Sequence, residues 1–202
     1  MQRFPRLHAA LDYAAEAHRN QVRKGTSIAY LSHLLGVASL VIEHGGDEDQ
    51  AIAGLLHDIL EDCGLEHEGP IRDRFGERVL RIVLACTDGT PDACGEKAPW
   101  RERKEAYLTH LKSTQEDALL VSACDKLHNA RAIATDLASG DDVFARFTGG
   151  HDGTLWYYQS LAETFAERLG RDRSLVIELA ATVERMGGSE PNRSGTDGRA
   201  DD

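Results

Sequence analysis

The sequence predicts an all-α, single-domain bundle of about seven to nine helices. Three observations carry that reading. Apolar residues recur three and four positions apart in one segment after another, the spacing of a buried helix face. Glycines and glycine pairs punctuate those segments. No stretch reads convincingly as a strand, and no internal repeat is visible.

Residues 7–19 form the first expected helix, with Leu7, Ala10, Leu11, Ala14, Ala15 and His18 on one face. Gly25 breaks the pattern in residues 20–31, a loop that carries the adjacent cations Arg23 and Lys24. Ser32 suits an N-cap, with His33 in the first turn of a helix over 34–43 that Gly45-Gly46 stops. Asp47 restarts a helix running to about Asp62, and Gly64 ends it. Helices are expected over 71–75 and 77–86, separated by Gly76, and a long loop over 87–99. A charged helix spans 100–112, and the longest, 117–138, turns Leu119, Leu120, Ala123, Leu127, Ala130 and Ala134 inward. One or two turns over 143–147 precede two amphipathic helices, 154–169 and 174–186. The domain is therefore expected over 1–186. The polar, apolar-poor stretch 187–202 is expected to be a disordered tail.

With 202 residues, 41% of them hydrophobic, the chain is long enough to bury a core without disulfides. Cys63, Cys86, Cys94 and Cys124 form no CxxC pair and read as reduced thiols, with Cys63 and Cys124 as small core fillers. No run approaches the roughly 18 apolar residues of a membrane span. The first residues lack a signal-peptide pattern, so a cytoplasmic protein without a membrane partner is expected. A formal charge of −11 argues against a nucleic-acid polymer as partner. It leaves room for a small phosphorylated ligand held by a metal and a few local cations. A homo-oligomer is compatible with the sequence.

One stretch organises the rest. Residues 51–62, AIAGLLHDILED, are an apolar run ending in His57, Asp58, Glu61 and Asp62. Gathering an imidazole and three carboxylates has a desolvation cost that a metal ion offsets. His57 and Asp58 lie about 100° apart on a helix, and Glu61-Asp62 roughly 5 Å further along its axis. Carboxylates near a helix C-terminus oppose its dipole, which favours a chemical role over a solvated turn. His33 projects from the start of its own helix, and Asp125 shares a face with Asn129. Two imidazoles and two carboxylates leave an octahedral ion two open positions, which suits Mn²⁺ or Fe²⁺ better than a closed zinc site.

The order His33…His57-Asp58…Asp125 resembles the H…HD…D signature of the HD phosphohydrolase superfamily. The stretches AHRNQVRK, AYLSHLLGVA, AIAGLLHDILED, RFGERV and DKLHNAR are similar to the alarmone hydrolase domain of RelA/SpoT-type proteins and to small stand-alone alarmone hydrolases. The likeness spans roughly residues 7–170. It implies an HD-type bundle and Mn²⁺-dependent removal of the 3′-pyrophosphate of (p)ppGpp, with Fe²⁺ or Zn²⁺ ranked behind Mn²⁺. It implies that His33, His57, Asp58 and Asp125 hold the metal, and that Glu61 and Asp62 are the acid/base pair that activates water. By the same likeness Arg23 and Lys24 contact the nucleotide, Asn129 a ribose or base, and Tyr158 the phosphates.

Three departures stand out. The loop reads RKGTSIAYLSH, one residue longer than the family's RKSGxPYxxH and with Ala29 in place of proline. Ala132 stands where the family often has a base-contacting threonine, and no lysine follows Lys126. Base preference therefore stays open: an adenine alarmone or the phosphate of NADPH is the alternative within the enzyme class. A non-catalytic nucleotide or metal sensor is the alternative outside it. His18 reads as a structural hydrogen-bonding residue, and His44, His67, His110, His128 and His151 as surface or loop histidines.

Overall fold

A computed structural model describes residues 3–87 and 98–188. Ten helical segments run in the order α1 (Leu7–Ala17), α2 (Leu31–Glu43), α3 (Glu48–Leu56), α4 (Ile59–Asp62), α5 (Glu68–Phe75), α6 (Glu77–Cys86), α7 (Trp100–Leu111), α8 (Glu116–Ala138), α9 (Gly150–Leu169) and α10 (Ser174–Gly188). Short 3₁₀ turns cover Leu65–His67 and Val143–Arg146. If the four-residue α4 is taken as the continuation of α3, the described residues hold nine helices, within the expected range. The expected loop over 87–99 lies outside the described residues apart from its ends, as does all of the expected tail beyond Gly188. The last helix takes in Gly187 and Gly188, which the sequence had assigned to that tail.

Two helices organise the packing. α8 touches α2, α3, α6, α9 and α10, and α3 lies between α1, α2, α6 and α8. Hence Ala51, Ile52, Ala53, Leu55 and Leu56 of α3 are no more than 1% exposed. Gly54 is what lets α2 approach: a Cβ there would stand 3.3 Å from the Ala38 Cα. Asp47, where a helix was expected to restart, caps α3. Its carboxylate accepts the Gln50 N–H at 3.1 Å, and its own N–H donates to the Gln50 side chain at 3.0 Å. Gln50 Nε2 then donates to the Asp117 carbonyl at 2.9 Å, which ties the start of α3 to the start of α8.

Several helix boundaries differ from expectation, α5 for one starting at Glu68 rather than residue 71, and two of them have a visible local reason. Ser32 is not an N-cap. The chain tightens one turn earlier, Ser32 N–H bonding to Ala29 O at 3.0 Å and His33 N–H to Tyr30 O at 2.8 Å, so α2 begins at Leu31. The 47–62 helix is not continuous. It breaks at His57-Asp58, where the His57 ring Nδ1 approaches the Gly54 carbonyl at 3.0 Å, a side chain contending for a main-chain acceptor. Finally, α9 starts at Gly150, four residues before the expected start.

The Arg23-Lys24 loop is pinned rather than free. An isolated antiparallel bridge joins Val22 to Ala29, with Arg23 N–H donating to Ile28 O at 2.8 Å and Tyr30 N–H to Gln21 O at 2.9 Å. Its turn needs Gly25, whose φ of +75° is disfavoured for side-chain-bearing residues and whose missing Cβ makes room for the Arg146 side chain, 2.6 Å from where it would stand.

Candidate active site

Two helices and one break supply the core of the site. α2 brings His33, the α3–α4 break brings His57 and Asp58, and α8 brings Asp125. His33, His57 and Asp125 are 0%, 1% and 4% exposed, and Asp58 is partly buried. His57 Nε2 lies 2.9 Å from Asp58 Oδ2 and 3.4 Å from Asp125 Oδ1. His33 Nε2 lies 3.2 Å from Asp125 Oδ1 and 3.6 Å from Asp58 Oδ2. His33, His57 and Asp58 offer one donor atom each within 4.8 Å of one another; Asp125 reaches both imidazoles but falls outside that tighter group.

The donor chemistry fits a divalent ion. Both Nε2 atoms are buried without a hydrogen-bond partner among the described residues. The Gly54 carbonyl can only accept, so His57 Nδ1 carries a proton and Nε2 is the ring nitrogen that can offer its lone pair to an ion. An ion about 2.1 Å from each donor sets neighbouring donors about 3 Å apart, near the spacings above.

Electrostatics point the same way. Burial opposes ionisation of Asp58, yet the neighbouring His57 and His33 hold its carboxyl well below the usual range. Burial likewise opposes ionisation of Asp125, which Lys126 and His57 hold low. Burial disfavours a cationic His57, but Asp58 and Asp125 outweigh it and raise its pKa well above the ordinary value. Two buried carboxylates thus draw positive charge into the space between them.

Around this centre lies a network that sequence reasoning largely missed. Tyr30 donates its hydroxyl to Asp58 Oδ2, and burial together with that carboxylate raises its pKa. Lys126 Nζ binds Asp125 Oδ2 at 2.6 Å, and Asn129 Nδ2 donates to Asp125 Oδ1 at 2.7 Å. Arg23 Nη2 donates to Asn129 Oδ1 at 3.0 Å, which ties the loop to α8. His128, assigned by the sequence to the surface, is half-buried with Nδ1 2.9 Å from His33 Nδ1. Burial and then His33 lower its pKa to about 4.

Glu61 and Asp62 stand on α4, beyond the break. Glu61 is partly buried and Asp62 exposed. Asp62 Oδ2 accepts from Gln21 Nε2 at 2.8 Å. The Gln21 oxygen lies 2.6 Å from His18 Nδ1, and His18 stacks on Tyr30 at 5.3 Å, so His18 has the structural role expected of it. Cys63 sits beside this group with burial pushing its thiol up to about 11.

Tyr30, Lys126 and Asn129 are also one wall of a cavity of about 300 Å³. Arg23, Lys24, Lys104 and Arg146 add four more cations to its lining, in a chain of net charge −11. Arg23 Nη1 is buried with no hydrogen-bond partner among the described residues. Arg146 pairs with Asp136 at 2.6 Å and Asp141 at 3.1 Å. Tyr158 lines the cavity and is 8% exposed, its hydroxyl pKa raised by burial. Ala132 lines it too, as does Trp100.

Comparison with known proteins gives a consistent picture. The chain is 38% identical over 127 residues to a guanosine-3′,5′-bis(diphosphate) 3′-pyrophosphohydrolase (MESH1) of Xenopus tropicalis, covering 61% of this chain and 67% of that protein. It is 35% identical over 134 residues to the Aquifex aeolicus protein of the same enzyme name, covering 65% of this chain but only 18% of that protein. Among solved structures it resembles a metazoan SpoT ortholog described as hydrolysing ppGpp, with a TM-score of 0.72, 24% identity, and 93% and 98% of the two chains covered. A Listeria monocytogenes protein matches with a TM-score of 0.66 and 27% identity, over 80% and 99% of the chains. Residues 10–154 match the HD domain family, and the chain belongs to that family of metal-dependent hydrolases.

Proposed function

We propose that this protein removes the 3′-pyrophosphate of guanosine alarmones, giving GDP or GTP and pyrophosphate, with Mn²⁺ as its metal. The observation that carries the reading is the pair of buried, unpartnered Nε2 atoms of His33 and His57 set against Asp58 and Asp125, whose partners Tyr30, Lys126 and Asn129 line a cation-rich cavity. The names of the matched relatives supply the substrate class.

In this reading His33, His57, Asp58 and Asp125 hold the ion. Bound there, it would lower the pKa of water and neutralise charge on the phosphoryl group. Glu61 and Asp62 take the proton from the attacking water. Gln21 fixes the Asp62 carboxylate for that task. As water oxygen bonds to phosphorus, the bond from phosphorus to the ribose 3′-oxygen breaks. The 3′-oxygen ends protonated and pyrophosphate leaves. Arg23 turns its buried Nη1 donor to the nucleotide, Lys24 offsets phosphate charge, and Asn129 and Tyr158 position sugar and phosphate. Lys104, from α7, adds the lysine that the sequence lacks after Lys126.

The test is direct. Purified protein with Mn²⁺ should release pyrophosphate from ppGpp, and intact ppGpp after prolonged incubation would refute the assignment. A second reading, another purine nucleotide such as an adenine alarmone or NADPH, is favoured by one observation: Ala132 presents only a methyl group to the cavity. Side-by-side rates on the guanine and adenine substrates separate the two.

A further inference from the structure

An imidazole that coordinates an ion through Nε2 works best when a partner accepts the proton on its Nδ1, because that bond fixes both tautomer and ring orientation. His57 has such a partner in the Gly54 carbonyl. Among the described residues His33 has no main-chain acceptor at Nδ1; what lies there is His128 Nδ1, at 2.9 Å, with the rings tilted by 55° and their centroids 4.9 Å apart. Two ring nitrogens at that separation share one proton. Were an ion held between His33 Nε2 and the two carboxylates, Nε2 would give it a lone pair, so the proton would belong on His33 Nδ1, with His128 accepting it.

An independent feature makes room for this contact. Gly36 lies inside α2, three residues after His33 and on the same side of the helix. A Cβ at Gly36 would stand 2.2 Å from His128 Nε2 and 2.3 Å from its Cδ2. Glycine is unfavourable inside a helix, and here the missing side chain is the slot into which the imidazole fits. On the other side, His128 follows Asp125 by three residues on α8, so one helix face carries both a carboxylate of the centre and the group that orients the facing imidazole.

We propose that His128, seated in the slot left by Gly36, is a positioning residue that accepts the His33 Nδ1 proton and thereby aims the His33 Nε2 lone pair at the metal. This rests on the reading of His33, His57, Asp58 and Asp125 as the metal-holding set.

The experiment titrates Mn²⁺ alone into chelator-treated full-length protein and follows the free-ion signal by electron paramagnetic resonance. His128→Leu, which removes the acceptor, should weaken Mn²⁺ binding by about 10- to 100-fold. His128→Asn keeps an oxygen near the Nδ1 position and should restore binding. Gly36→Ala should weaken binding by displacing the ring, although alanine is the better helix former. Thermal melting without metal shows that each variant is folded; a purely structural role would lower every melting temperature and give no rescue by asparagine. Wild-type affinity in His128→Leu or Gly36→Ala, or affinity in His128→Asn as poor as in His128→Leu, overturns the proposal. If His128→Leu does not fold, Gly36→Ala and His128→Asn decide it. A His57→Ala control separates the two readings. Should it too bind Mn²⁺ like wild type, the metal assignment has failed; should it alone lose binding, only the role of His128 has.

Discussion

Gln21 donates its side-chain N–H to the Asp62 carboxylate at 2.8 Å, while its amide oxygen meets His18 Nδ1 at 2.6 Å. A carboxylate only accepts, so the amide NH₂ must face Asp62, and the oxygen must then take the His18 N–H. The buried His18 thus sets the amide, and the amide sets an otherwise exposed carboxylate. A hydrogen bond to a charged group is worth about 1.5–3 kcal/mol. Gln21→Leu should therefore cut kcat by about 10- to 100-fold with KM little changed, because Gln21 is not among the residues that line the cation-rich cavity. Steady-state kinetics on ppGpp check this.

Removal of the metal should abolish turnover. Chelator-treated protein is expected to be inactive and to regain activity with Mn²⁺. Asp125→Asn, which takes a negative charge from beside both imidazoles, should not regain it at any Mn²⁺ concentration that saturates wild type. Elemental analysis of the purified variants gives an independent reading of metal content.

Arg23 serves both the substrate and α8. Its Nη2 holds Asn129 while its Nη1 is buried without a partner among the described residues. Arg23→Lys keeps the charge but loses the fork. We expect KM for ppGpp to rise about tenfold, the loss of one charge-assisted bond. Arg146→Ala should have a smaller effect, since Asp136 and Asp141 already neutralise that side chain. A fluorescent nucleotide titration distinguishes the two variants.

Stability should carry an acid-sensitive component away from the site. Hydrogen bonds from Arg81, with burial opposing and Arg78 assisting, hold the Asp117 carboxyl below its ordinary pKa. A carboxyl depressed in the folded state stabilises above its unfolded pKa, about 3.9, and that contribution is lost as pH falls through the folded value. Asp117→Asn should melt below wild type at pH 7, and the gap should close as the pH drops below about 4. Melting curves across that range test it.

The core prediction is simpler. Ile52 on α3 is fully buried, and Ile52→Ala should cost about 2–5 kcal/mol. Urea denaturation measures it.

Much of this was legible in the sequence because helices keep their periods. The spacing of His57 and Asp58, the helix restart at Asp47, and the convergence of His33 and Asp125 on that pair all follow from local pattern and from the family resemblance. What escaped was set by packing between distant elements. The break at His57-Asp58 depends on a ring reaching back to Gly54 O, which apolar periodicity does not register. His128 sits on the partly polar face of α8, and its only trace in the sequence was a glycine far away in α2, unremarkable until the two helices are set side by side. Lys104 reaches the cavity from α7. Within the sequence that segment reads as an ordinary charged helix.

α8 carries Asp125, Lys126, His128 and Asn129 within little more than one turn, and the same helix packs against five others. The thermodynamic consequence is linkage. A ligand held by this turn cannot be released by local fraying, because loosening the turn exposes the centre of the bundle. Occupancy of the centre should therefore raise the free energy of global unfolding by RT ln(1 + [L]/Kd). Hydrogen exchange in the interior of α8 should report that increase in full, and α1, at the edge of the bundle, should report far less of it.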